Sequence, residues 1–218
     1  MAYSGAVKAG GPADVHELQA LMISKVAVGP MDNNAYLLRC RATDEQLLID
    51  AANEPRTLLD LIGRDGIASV VTTHQHGDHW QALAEVVGAT GARTYAGRED
   101  AEGIPVRTDV LVDDGDILRV GQVELTARHL AGHTPGSIAL VYDDPHGHPH
   151  VFTGDCLFPG GVGNTWGDQG RFASLLHDVE TKLFDRLPDE TWVYPGHGGD
   201  TTLGAERPHL TAWRERGW

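Results

Sequence analysis

A third of the way along the chain, six residues constrain it more than any other feature: His74-Gln75-His76-Gly77-Asp78-His79. They follow directly on the apolar run Ile67–Thr73, which reads as a buried strand. In an extended segment, residues two apart share a face, so His74 and His76 can reach one cation from the strand end. Gly77 permits a sharp turn. Asp78 and His79 then open the next element from another direction and can serve a second cation. Imidazole and carboxylate together suit zinc, with iron or manganese as alternatives. Asp78 is also a good N-cap for a helix expected over Asp78–Val87. A lone histidine at a strand end is ordinary polar surface, but three with an aspartate in one turn point to a metal centre.

The remaining chemistry-bearing residues stand at the ends of other β-type runs. His133 lies in Gly132-His133-Thr134-Pro135-Gly136-Ser137, Asp155 in Phe152-Thr153-Gly154-Asp155, and His197 in Tyr194-Pro195-Gly196-His197-Gly198. Each alone is a turn residue among glycines and prolines. Their shared placement lifts them, because strand ends gather on one edge of a sheet.

Composition narrows the function classes. The chain has 218 residues, enough for a sizeable core. Acids outnumber bases 31 to 17, giving a formal charge of −14. That field repels phosphate backbones and no Lys/Arg run offsets it, so no nucleic-acid partner is expected. No apolar stretch approaches the roughly 18–20 residues of a membrane span, so no membrane partner is expected either. Met1 to Asp14 shows no basic start followed by an apolar run, hence no secretory signal. Cys40 and Cys156 are the only cysteines, which excludes a disulfide framework and a Cys-rich zinc site and fits a cytoplasmic location.

Residues 1–14 read as a flexible N-terminal arm and 15–218 as one domain. Strands are expected at Leu18–Val28, Ala35–Cys40, Gln46–Ala51, Ile67–Thr73, Arg93–Ala96, Val110–Val112, Ile117–Val120, Val123–His129, Ser137–Tyr142, His150–Thr153 and Thr191–Tyr194. Helices are expected from Glu54 to the Gly63–Gly66 stop, over Asp78–Val87, Phe172–Leu187 and Gly204–Arg216. Cys156–Gly170 is a Gly-rich loop without period. Two sheets with helices on their outer faces accommodate this order.

The motifs HxHxDH, GHTPGS, TGDCLF and PGHGGDT, spread from about His16 to His209, resemble the metallo-β-lactamase fold superfamily. The resemblance implies an α+β fold, a four-layer αβ/βα sandwich of two mixed β-sheets flanked by helices, with metals between the sheet edges. It implies two divalent metal ions: His74, His76 and His133 on the first, Asp78, His79 and His197 on the second, and Asp155 bridging. Asp78 would also orient a metal-bridging hydroxide as a catalytic residue. Asp50, ending the run QLLIDA, matches a supporting family aspartate and equally reads as a strand terminator.

PGHGGDTTLGAERPHL, Asp32-Asn33-Asn34-Ala35-Tyr36-Leu37 and LFPGGVGNT are similar to small glyoxalase II-like hydrolases, which implies a small-molecule acyl-thiol substrate. Full-length glyoxalase II enzymes carry a further basic C-terminal region, against which only Arg214 and Arg216 stand near Trp218 here, and Asn164 stands where small relatives often have arginine; the thiol carrier is therefore expected to differ from glutathione. The alternatives are an iron-dependent persulfide dioxygenase, a β-lactam or lactone hydrolase, and a metal-binding protein without catalysis. Phe158, Asn164 and Trp166 are candidate substrate-pocket residues. Cys156 reads as packing, and the cluster His146, His148, His150 as a solvent-exposed hairpin turn.

Overall fold

The computed structural model describes residues 3–217; the expectations for Met1, Ala2 and Trp218 fall outside them. Seven strands form the first sheet in chain order: β1 (Asp14–Glu17), β2 (Leu21–Val28), β3 (Asn33–Cys40), β4 (Gln46–Ile49), β5 (Ser69–Thr72), β6 (Arg93–Gly97) and β7 (Val110–Val112). β1 to β4 pair antiparallel through short connections. β4 to β7 pair parallel, which demands long crossovers; two carry the helices α1 (Pro55–Ile62) and α2 (Leu83–Thr90).

The second sheet takes β8 (Ile117–Val120), β9 (Val123–His129), β10 (Ile138–Tyr142), β11 (His150–Gly154), β14 (Trp192–Pro195) and β15 (Thr201–Thr202), in the order β15-β14-β11-β10-β9-β8. The small hairpin β12 (Leu157–Phe158) and β13 (Gly161–Val162) and the helix α3 (Gln169–Val179) lie between β11 and its parallel neighbour β14. Helices α4 (Leu203–Glu206) and α5 (Leu210–Arg216) close the chain.

Three apolar cores make the layers. Tyr36, Leu38 and Cys40 of β3 meet Leu140, Tyr142 and Phe152 of the second sheet in the central one. The alternate residues Ala35 and Leu37 face outward with Leu58 and Ile62 of α1 and Leu83 and Val86 of α2. Ala139 and Val141 of β10 face outward with Phe172, Leu175 and Leu176 of α3 and Trp213 of α5. Period-two alternation with both faces covered explains why these strands read as continuous apolar runs. The α+β four-layer sandwich is therefore the observed fold.

Several boundaries differ from expectation. The helix expected from Asp78 begins at Leu83; Asp78 instead sits in a 3₁₀ turn, Gly77–His79, and caps nothing. α3 starts at Gln169, where the Asp168 carboxylate accepts from Gly170 N and Arg171 N, and continues as a π-helical turn, Glu180–Phe184. The last helix is broken by a 3₁₀ turn, Arg207–His209, because Pro208 removes a backbone donor. The hairpin Leu157–Val162 interrupts the supposed loop.

The expected flexible arm is tied down where it is described. Asp14 already pairs in β1, its carboxylate accepts from Ser4 and Gly5, and Tyr3 donates to Asp200. His150 is 1% exposed rather than in a solvated turn, because it opens β11 facing the second sheet's aromatic residues. No helix among the described residues is long and apolar enough to cross a membrane.

Candidate metal centre

Parallel pairing places the ends of neighbouring strands on one edge. Beyond β4 comes Asp50, beyond β5 His74, beyond β11 Asp155 and beyond β14 His197; the β9–β10 loop adds His133. Ligand atoms of His74, His76 and His133 lie within 4.8 Å of one another, as do those of His74, His79 and Asp155 and those of Asp78, His79 and His197. All seven predicted ligand residues thus fall into three overlapping groups.

The histidines are held from behind. Asp50, buried with φ +58°, accepts from Thr73 N, Thr73 Oγ1 and His79 Nδ1, each at 2.8 Å. Thr73 has one hydroxyl proton and gives it to Asp50, so at 3.1 Å it must accept from His74 Nδ1. His133 Nδ1 donates to Asn164 O at 2.9 Å and His197 Nδ1 to Met31 O at 3.1 Å. Four imidazoles therefore present Nε2 to the cluster; His76 presents Nδ1, 2.9 Å from His133 Nε2. Such outer hydrogen bonds fix tautomer and ring orientation.

Asp155 stands in the middle. Oδ1 is 3.4 Å from His79 Nε2, and Oδ2 is 3.6 Å from both His133 Nε2 and His197 Nε2. Asp78 Oδ2 is 3.3 Å from His197 Nε2 and 3.5 Å from His79 Nε2, and accepts from Asn33 Nδ2 at 2.8 Å. Two glycines keep the space open. A Cβ on Gly196 would stand 2.2 Å from Asp155 Oδ1, and one on Gly163 would stand 1.8 Å from Asp155 O.

Of the five buried side-chain N/O atoms without a hydrogen-bond partner among the described residues, three belong here: His74 Nε2, His79 Nε2 and Asp155 Oδ1. Buried polar atoms are rarely left so. Convergent imidazole nitrogens beside carboxylates, with these three atoms unsatisfied, fit divalent cations. Burial and the neighbouring imidazoles hold His74 neutral, well below the usual histidine range, and burial takes His133 down to about 4; neutral nitrogen is the ligating form. Burial opposes ionisation of Asp155, but His79, 3.4 Å away, and after it His197 and His133 hold its carboxyl below the usual range. Burial likewise opposes charge on His79, yet Asp50 and Asp155 lift it to about 10, so these carboxylates are poised for a cation.

Other residues sequence reasoning did not single out complete the support. Buried Asp100 accepts from Gln75 N at 3.0 Å, Gly136 N at 2.7 Å and the Thr134 hydroxyl, joining the 74–79 segment to the His133 loop. Arg171 donates to Gly132 O and His133 O. Neither carries a local motif; only the recurrence of aspartate and arginine near glycine-rich turns hints at them.

The pocket candidates take three different places. Trp166 is 57% exposed at φ +54°, its ring 5.4 Å from both His76 and His133. Phe158 is 6.4 Å from His197. Asn164 acts through its backbone carbonyl on His133, while its side chain accepts from Trp166 N. Cys156 is buried with its thiol pushed up by burial and its sulfur 3.7 Å from Leu130 O, as packing requires.

The sequence model of the metallo-beta-lactamase superfamily matches residues 28–197. A hydroxyacylglutathione hydrolase from Polaromonas sp. is 37% identical over 167 residues, covering 76% of this chain and 62% of that protein. The mitochondrial persulfide dioxygenase ETHE1 of Homo sapiens is 35% identical over 167 residues, 74% of this chain and again 62% of that protein. The chain thus spans about three fifths of the length of these relatives. Among solved structures, TTHA1623 in a di-iron-bound form is 33% identical with a TM-score of 0.66, covering 84% of this chain and 96% of that one. The His/Asp groups are those of a dinuclear metal site typical of the superfamily.

Proposed function

Because the chain belongs to the metallo-β-lactamase superfamily, we propose that it is a metal-dependent hydrolase cleaving thioesters of small thiols in the manner of glyoxalase II. One observation carries the reading: Asp155 lies between the three ligand groups, within 3.6 Å of imidazole nitrogens from His79, His133 and His197. His74, His76 and His133 would hold one divalent cation, Asp78, His79 and His197 the other, and Asp155 both. Bound cations of this kind bring a water molecule's pKa toward neutrality and polarise a carbonyl.

The protein's own contribution is positioning. Asn33 donates to Asp78 Oδ2, and although burial opposes charge on Asp78, His197 at 3.3 Å, with His79 and Asn33, keeps it ionised well below the usual carboxylate range. As a carboxylate it can accept a hydrogen bond from water beside His197 and orient the attack. The Trp166 ring, exposed against His76 and His133, offers an apolar wall to the acyl group. A thiolate leaves without protonation, so the reaction asks for no separate acid, whereas amide cleavage does. The zinc form is proposed, with iron or manganese as alternatives, in a reducing compartment where the buried Cys40 and Cys156 remain free.

Metal analysis of protein purified without added metal, followed by hydrolysis of S-lactoylglutathione, tests the reading. Two metals per chain with thioester turnover are expected. The identity to a persulfide dioxygenase over the same length favours a second reading. One iron per chain, with oxygen uptake on glutathione persulfide and no thioester turnover, would establish it in place of the first.

A further inference from the structure

The turn carrying His197 leaves the second sheet, where Gly196 N still donates to Gly154 O at 2.8 Å, yet further hydrogen bonds tie it to the first. Asn34 N donates to Gly196 O at 2.7 Å, and Asn34 Nδ2 donates to Pro195 O at 2.9 Å and Gly198 O at 3.0 Å. The Tyr36 hydroxyl donates to Pro195 O at 2.6 Å. Behind these β3 contacts stands Lys25 of β2, a lysine with 0% exposure. Its three ammonium protons meet three acceptors: Gly198 O at 2.8 Å, Asp200 Oδ1 at 2.6 Å and Gly5 O at 2.7 Å.

Asp200 is equally engaged, with Oδ2 accepting from Tyr3 Oη at 2.6 Å and Trp192 Nε1 at 2.9 Å. The N-terminal segment must pass close to reach Lys25. Gly5 lies at φ +70°, and a Cβ there would stand 2.5 Å from Asp200 Oδ2. One buried ammonium thus ties β2, the N-terminal segment and both ends of the Gly198–Asp200 stretch together, one residue from His197.

Stability alone is a weak reason for such a pair. A buried ion pair is often replaceable by apolar residues at no cost, whereas losing one partner strands the other's charge. What an apolar pair would not replace is the bond to the Gly198 carbonyl, which Lys25 shares with Asn34 Nδ2 and which ties the turn to the first sheet. The first ligand group does not share this lock: His74 and His76 follow β5, and His133 is fixed by Asn164 and Arg171.

We propose that Lys25, in its ion pair with Asp200 and closed over by residues 3–5, is a positioning residue for His197, holding its Nε2 in ligating register with Asp78 and Asp155. The inference rests on the dinuclear reading of the site and assigns the N-terminal segment a part in assembling it. Its consequence is selective: weakening the lock lowers affinity for the second cation and leaves the first alone.

The test is a Co2+ titration of chelator-treated protein against a competing chelator, followed by absorbance. Wild type, Lys25→Met, Lys25→Met/Asp200→Asn, Gly5→Ala and His197→Ala are compared. The double variant removes both charges while leaving an acceptor for Tyr3 and Trp192, so it answers the question even where Lys25→Met fails to fold. It should melt close to wild type, bind the first cation unchanged, and bind the second about 10–100-fold more weakly, as loss of outer hydrogen bonds to a ligand does. The weakened step should be the one abolished in His197→Ala, and Gly5→Ala should weaken the same step with Lys25 intact. Wild-type affinities at both steps in the double variant, or equal loss at both, would overturn the positioning role. Fewer than two cations in the wild type would instead refute the dinuclear reading, and the inference with it.

Discussion

Two histidine clusters occupy opposite ends of one strand, β11. Past its last residue lies the Asp155 cluster; at its first residue His150 meets His16, His148, Tyr142 and Tyr194, and His16 in turn meets Tyr3 and Trp192. At the second end the imidazoles are satisfied by a hydroxyl. His16 Nδ1 and His150 Nδ1 lie 2.8 and 3.0 Å from Tyr194 Oη, which donates to one and accepts from the other. Among the described residues, no ligand group includes them and none of their nitrogens is buried without a partner. At the Asp155 end, nitrogens converge on carboxylates, and His74 Nε2, His79 Nε2 and Asp155 Oδ1 are buried without a partner. Histidine content is equal in kind at both ends; what separates a metal centre from a packed polar core is where the lone pairs point.

The contrast breaks most sharply at Asp155. Asp155→Ala removes the one oxygen pair between the ligand groups, and thioester turnover should fall on the order of 1000-fold, as for removal of a central catalytic group. Metal content measured alongside should drop below two per chain. Full activity in this variant would place the chemistry elsewhere. Asp50→Asn sharpens the contrast one layer out. It leaves all seven ligands but weakens the acceptor for His79 Nδ1 and Thr73 Oγ1. A loss of about 10–100-fold in cation affinity is expected, read as a shift in the chelator concentration that halves activity. An unchanged midpoint would reduce Asp50 to a strand terminator.

How far this division could be read in advance depends on the range of the interactions. Val110–Val112, Ile117–Val120 and Val123–His129 are bounded as expected because Asp-Asp-Gly-Asp and Gly-Gln mark their ends locally. Their assignment to sheets was not legible: β7 closes the first sheet and β8 opens the second, and nothing in an unbroken run of short strands marks that crossing. Over Asp78–Val87 an N-cap residue before an apolar run favours a helix from Asp78, whereas the 3₁₀ turn places Asp78 and His79 in the cluster and the helix starts at Leu83. The ligands themselves were conspicuous since each motif is local. Thr73, Asn33, Asp100 and Lys25 were not, because each acts on chain distant in sequence or through a neighbour's ring. His150 shows the converse: prolines and glycine around it mark a turn, but its own position is the first, buried residue of β11.

The smallest effect expected at the pH where the protein is most stable tests the packed end. Burial, with His148 and His16 adding repulsion, pushes His150 down to about 3 from an ordinary 6.5. The unfolded chain takes up this proton near pH 6.5 and the folded protein refuses it until about pH 3. Stability from this group is therefore fully present above pH 6.5 and drains as pH falls toward 3, by at most about 1.4 kcal/mol per unit. His150→Phe removes that dependence. At pH 8 the variant should lose about 1 kcal/mol with the hydrogen bond to Tyr194, and between pH 6.5 and 3 its denaturant midpoint should fall less steeply than wild type. Cations leaving the other cluster on acidification add a slope common to both proteins, so the difference between them isolates His150. Parallel slopes would mean that the aromatic cluster already admits the proton, and a fall in metal content would mean that the two ends of β11 are coupled rather than distinct.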